Sequence, residues 1–166
     1  LSYGIERLMR VDQVALKGTH NIANALAALA LGYSVDLPMQ GMLDTLKTYK
    51  GLPHRCQSIA QINNVSFIND SKATNTGATI AAIKGFGNPN SKNIVLIAGG
   101  QAKGQDFSSL SAEITAFVKL TILIGEDANQ LAAALDGSCE IKYSDSLDEA
   151  IIQANHSAIS GDKVLL

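Results

Sequence analysis

The sequence of 166 residues has room for one domain, or for one domain and part of another. Apolar residues at 46% and charged residues at 17% are the balance of a globular chain, not of a disordered one. A net charge of -2 gives no electrostatic footprint for nucleic acid or an anionic membrane, and no apolar run reaches the roughly 18 residues of a membrane span. Aromatics are scarce at 5% and Trp is absent, so the core must come from Ala, Leu, Ile and Val. Cys56 and Cys139 fit no C-x-x-C or zinc spacing, and no signal peptide precedes them. Reduced thiols in a reducing, cytoplasmic compartment are therefore expected.

The chain opens without Met and closes on a turn, Gly161-Asp162, followed by the strand-like 163–166. It is expected to be an excised segment of a longer protein. Two textures meet near residue 51. Before it, the Ala- and Leu-rich residues 21–33 predict a helix with Thr19 as its N-cap. A second helix follows Pro38 to about Tyr49. Two helices without a sheet leave an apolar face of Ala and Leu with no partner.

After Gly51 strands and helices alternate. Strands are predicted at 57–62, 65–69, 93–98, 120–124, 140–143 and 163–166, and helices at 76–86, 108–119, 127–135 and 146–159. Asn63-Asn64 is a tight-turn pair, which makes one strand antiparallel. The remainder predicts an α/β, Rossmann-like, doubly wound and mainly parallel sheet. Ligands of such sheets bind beyond the carboxyl ends of the strands. Polar or glycine-rich clusters sit there at 69–72, 99–103 and 125–127.

Several residues carry two readings. Asn21 and Asn24, one helical turn apart, could present an amide pair to an adenine edge, or could serve as a cap and an interhelical bond. Arg55, after Pro53-His54, suits a phosphate but could be a solvated surface residue. The run Asn69-Asp70-Ser71-Lys72-Ala73-Thr74-Asn75 is the densest polar stretch. It stands between a strand and a helix N-terminus, where Asp70 could accept from ribose hydroxyls and Lys72 and Thr74 could hold a carboxylate. Its other reading is a capping loop with Asn75 as N-cap. The loop Gly99-Gly100-Gln101-Ala102-Lys103-Gly104 matches neither G-x-G-x-x-G nor G-x-x-x-x-G-K-[ST].

In order along the chain these motifs resemble the Mur ligase superfamily. The likeness rests on Gly18 to Asn24, on Leu52-Pro53-His54-Arg55 and on an Asp after the second strand. The run Asp70 to Asn75, with Gly99, Gly100, Lys103, Gly104, Asp106 and Phe107, is similar to the D-glutamate-adding branch of that superfamily. Gln101-Ala102 replaces the Asp-Gly often found there.

The resemblance implies that residues 1–51 are the helical C-terminal tail of a central ATPase domain. Residues 52–166 would then be a C-terminal ligase domain truncated at its end. It implies an ATP- and Mg2+-dependent enzyme with no metal site in this segment. That enzyme would phosphorylate the carboxylate of UDP-N-acetylmuramoyl-L-alanine and let D-glutamate attack the acyl phosphate. Asn21, Asn24, Arg55 and Asp70 would contact the nucleotide, and Ser71, Lys72, Thr74 and Lys103 the D-glutamate. The N-terminal and central domains of the same protein would be its partners, and the segment alone would be inactive. Two alternatives stand beside it. One is a sister amide ligase, such as a folate polyglutamylating enzyme. The other is a non-catalytic Rossmann-like binding module, which a G-x-x-G-K-[ST] run upstream in the reading frame would exclude.

Overall fold

The computed structural model describes residues 1–16, 18–88, 90–100, 104 and 106–166. They fall into two units, Leu1–Leu52 and Pro53–Leu166. In the first unit a short antiparallel pair, β1 (Ser2–Tyr3) and β2 (Glu6–Arg7), precedes helices α1 (Thr19–Ser34) and α2 (Met39–Thr48). The prediction of helices alone therefore missed a small sheet, because strands of two residues carry no readable period. Thr19 is also not the N-cap: Gly18, at φ 100, holds that position and no side chain caps the helix. Met9, Val14, Leu29 and Leu43 form the core of this unit. Leu26, Leu31 and Val35 are exposed, as expected of a helix rich in apolar residues on every side.

The second unit is built on a six-stranded sheet. Strands β3 (Gln57–Ile62) and β4 (Val65–Asn69) form the expected hairpin, with Asn63 and Asn64 both left-handed at φ 50 and 62. Such a turn matches the twist of the strands it joins, and Asn tolerates it better than other non-glycine residues. Strands β5 (Ile94–Gly99), β6 (Val118–Ile124), β7 (Glu140–Tyr143) and β8 (Lys163–Leu165) complete the sheet in the order β3-β4-β8-β5-β6-β7. Every pair except β3–β4 is parallel.

Helices α3 (Thr76–Phe86), α4 (Ser111–Phe117) and α5 (Ala128–Ala134) supply Ile83, Ile114 and Leu131 to one face of this sheet. Helix α6 (Leu147–Ser157) packs Ala150 and Ala154 against the other. The strands show why both faces are dry. In β5, Ile94 and Leu96 join the first cluster while Val95 and Ile97 join the second, which is the continuous apolar run of a central parallel strand. The predicted helix 108–119 is instead a 3-10 turn, Ser108–Leu110, followed by α4, and Val118 and Lys119 belong to β6. Both cysteines are free thiols. No helix among the described residues is long and apolar enough to cross a membrane.

Asn75 caps α3, the alternative reading of its polar run, its Oδ1 accepting from Ala78 N at 2.9 Å. Asn75→Ala should cost about 1 kcal/mol of stability. A lowered midpoint in a urea melt of the chain, with an unchanged slope, is the expected result.

Candidate functional site

The strand order brings the carboxyl ends of β4, β8, β5 and β6 to one edge, where they open on a cleft of about 440 Å³. Its apolar floor includes Leu96, Leu110, Leu131 and Leu165. Its polar rim is Asp70, Ser71, Thr74, Asn75 and Thr76, facing Gly99, Gly100 and Asp127.

Asp70 is the most buried acidic side chain of that rim, at 9% exposure. Its main chain is fixed on both sides. Its N–H donates to Leu166 O at 2.7 Å and its carbonyl accepts from Ala73 N at 2.7 Å. Its carboxylate accepts from Cys56 N at 2.9 Å. Because β3 runs antiparallel to β4 and Gln57 pairs with Asn69, residues 54–56 must lie beside residues 70–72. His54 and Cys56 are both left-handed there, at φ 63 and 46. The turn is held by Lys72 N donating to His54 O at 3.1 Å, His54 N donating to Gln57 Oε1 at 3.0 Å, and a 3.1 Å bond between Asn69 Nδ2 and His54 Nδ1. Burial, with the Asp70 carboxylate beside it, pushes the Cys56 thiol up to about 12. A thiol in that state keeps its proton at neutral pH and is no nucleophile.

Of the predicted site residues, Asp70, Ser71 and Thr74 come together on the cleft rim. Lys72 and Arg55 are exposed on the flanking loops and do not line it. Asn21 and Asn24 lie on α1 of the first unit, Asn24 exposed and Asn21 half-buried. Lys103 lies outside the described residues. Sequence reasoning passed over His54 and Cys56. The signal that could have found them is the hairpin register, which sets the residues before β3 against the loop after β4.

Two glycines let the strand ends approach each other. A Cβ on Gly99 would sit 1.8 Å from Ile124 O, and one on Gly125 would sit 3.0 Å from Gly100 N. Beyond the glycine loop, Asp106 accepts from Ser108 N and Oγ, both at 2.8 Å, and these bonds hold its carboxyl below the usual carboxylate range. Among the described residues no three His, Cys, Asp or Glu side chains gather as a metal site.

Residues 54–166 match the family model described as Mur ligase, glutamate ligase domain. A UDP-N-acetylmuramoylalanine–D-glutamate ligase of Acinetobacter baylyi is 47% identical over 169 residues, covering 100% of this chain and 38% of its own. The ligase of the same name from Legionella pneumophila strain Lens is 48% identical over 166 residues, covering 100% and 37%. The chain thus spans little more than a third of the length of these relatives. Among solved structures, the UDP-N-acetylmuramate-alanine ligase of Thermotoga maritima matches 90% of the chain with 34% of its own, at TM-score 0.66 and 18% identity. A bifunctional folylpolyglutamate synthase/dihydrofolate synthase from Yersinia pestis matches 87% with 35% of its own, at TM-score 0.66 and 22% identity. These structural likenesses speak for the fold. The family model covers well over half of the sequence, and the chain belongs to the Mur ligase family, whose glutamate ligase domain it carries in residues 54–166.

Proposed function

We propose that this chain is the C-terminal part of a cytoplasmic, ATP-dependent ligase that adds D-glutamate to UDP-N-acetylmuramoyl-L-alanine in peptidoglycan precursor synthesis. The observation that carries this reading is the run Asp70 to Asn75, set on the rim of the cleft at the carboxyl end of β4. The names of relatives at 47% and 48% identity support it. Residues 1–51 are, on this reading, the tail of the central ATPase domain, and residues 52–166 form the domain that closes on the substrates.

ATP supplies the phosphoryl group that turns the alanine carboxylate into an acyl phosphate. The D-glutamate amine then attacks that carbonyl, an amide bond forms, inorganic phosphate leaves and the amine loses a proton. ATP and Mg2+ serve the whole ligase, and their triphosphate and metal contacts belong outside this chain. It holds no G-x-x-x-x-G-K-[ST] run. This chain's own part is to bind and orient. Asp70 accepts from the ribose hydroxyls, Arg55 pairs with phosphate or ribose, and Asn21 and Asn24 meet the adenine. Ser71 and Thr74 stand near the N-terminus of α3, where backbone N–H groups favour negative charge, and with Lys72 and Lys103 they are the residues assigned to the D-glutamate.

The test is D-glutamate-dependent phosphate release by the full-length ligase, with this 166-residue chain alone as the inactive control. Lys103→Ala should raise the KM for D-glutamate about tenfold or more and leave that for ATP within about twofold, since a lost charge partner acts on one substrate. Equal rises for both substrates would remove the role given to Lys103. Turnover with another amino acid in place of D-glutamate would replace the substrate assignment.

A further inference from the structure

The side chain of Asn69, the last residue of β4, joins two segments. Its Oδ1 accepts from Ser71 N at 3.0 Å, and its Nδ2 meets His54 Nδ1 at 3.1 Å. Together these contacts fix every role in the set. A backbone N–H can only donate, so the amide oxygen must face Ser71 and the amide N–H must face the ring. His54 Nδ1 is therefore the acceptor, which requires a neutral imidazole with its proton on Nε2.

His54 grips the same loop a second time, through its carbonyl, which accepts from Lys72 N at 3.1 Å. Ser71 and Lys72 are thus both held from one residue, Ser71 by way of the Asn69 amide and Lys72 directly. Their placement carries forward, because Thr74 N donates to Lys72 O at 3.0 Å, and Ser71 and Thr74 both line the cleft.

A second proton on the ring would undo the arrangement. Nδ1 would then be a donor facing a donor, and the Asn69 amide could meet it only by turning its oxygen away from Ser71 N. One amide oxygen cannot serve both partners. The other titratable and charged side chains where these segments meet are Arg55 and Cys56 on one, and Asp70 and Lys72 on the other. Burial, with Asp70 beside it, keeps the Cys56 thiol protonated at neutral pH. An imidazole is the side chain whose charge ordinarily changes near neutrality.

We propose that His54 and Asn69 are positioning residues for the Ser71–Lys72 loop, and that they hold it only while His54 is neutral, so that affinity for the ligand of this rim falls as His54 takes up a proton. Taking that ligand to be D-glutamate rests on the function proposed above. The clasp itself does not.

Two substitutions that suit left-handed backbone test it. His54→Asn offers an amide oxygen as far along the side chain as Nδ1, an acceptor that does not titrate. His54→Gly removes the acceptor. In this chain, long-range proton–nitrogen NMR spectra should show His54 protonated on Nε2 alone at about pH 8, and the Ser71 amide resonance should follow the protonation of His54 down to about pH 5.5. In the full-length ligase the D-glutamate KM should rise about three- to tenfold over that range, the scale of one lost hydrogen bond, with little change in kcat. His54→Asn should start at the parental KM and lose that rise, and His54→Gly should show the raised KM at both ends. A ring proton on Nδ1 at the upper pH, or a Ser71 resonance indifferent to His54, overturns the clasp. The same pH dependence of KM in the parent and in His54→Asn overturns its part in binding. A ligase that turns over a different amino acid would instead sink the function proposed above, and the NMR result would still decide the clasp.

Discussion

Gly99→Ala is expected to destabilise the second unit by about 3 kcal/mol, near the upper end of what overpacking a close-fitted site costs. The main cause is one contact, added to the strain of a φ of 155 that a side chain rarely adopts. The added Cβ would lie 1.8 Å from the carbonyl oxygen of Ile124, and that atom is backbone, so no side-chain rotation can relieve the overlap. Gly99 and Ile124 are paired across β5 and β6, and Ile124 O also accepts from Gly100 N at 3.2 Å. Moving Ile124 away would break that bond and pull apart the two strand ends that floor the cleft. Gly100→Ala is the control. It meets nothing within 4 Å, so its cost is the left-handed backbone at φ 111, about 1 kcal/mol. Thermal melts followed by circular dichroism should place Gly99→Ala roughly 10 °C or more below the parent and Gly100→Ala only a few degrees below. Equal losses at the two positions would mean that conformational strain, and not the close approach of the strands, makes glycine necessary here.

The contrast between neighbouring glycines shows which parts of this fold sequence reasoning could reach. A Gly-Gly pair after an apolar strand was legible as a loop, but the two residues differ only in what faces them, and that is a tertiary fact. Strands 57–62, 65–69 and 140–143 and the helix 76–86 match their predicted bounds, because a turn pair, a capping Asn or a bounded β-rich run marks each end. The segment 108–119 was harder. Ala112, Glu113 and Ala116 there suit a helix, yet Val118 pairs with Ile94 of β5 and both Val118 and Lys119 belong to β6, since burial in a central sheet outweighs local propensity. The site divides in the same way. Asp70, Ser71 and Thr74 were found from their polar density at a strand end. Cys56 and His54 were not, since their importance comes from a one-residue bulge between Ser58 and Ala60 that sets Gln57 against Asn69.

Asp70 should separate two functions that one carboxylate performs, holding the Cys56 turn and receiving a ligand. Asp70→Ala removes both, and Asp70→Asn leaves an amide oxygen that can still accept from Cys56 N. In Asp70→Ala the half-buried Cys56 N–H loses its acceptor, a penalty of about 1–3 kcal/mol, so the second unit should melt several degrees lower. In Asp70→Asn the melt should stay within about 2 °C of the parent, because that hydrogen bond survives. Nucleotide use should respond differently. A hydrogen bond to a charged acceptor is worth about 1.5–3 kcal/mol, so kcat/KM for ATP in the full-length ligase should fall roughly ten- to a hundredfold in both variants. The D-glutamate KM should change little, because Ser71, Lys72, Thr74 and Lys103 are the residues proposed to hold that substrate. Kinetics with each substrate varied in turn, beside melts of the same preparations, give the answer. If Asp70→Ala loses stability while both variants keep the parental ATP kinetics, Asp70 is a clasp for the His54–Cys56 turn, and the nucleotide must find its hydroxyl acceptor elsewhere on the cleft.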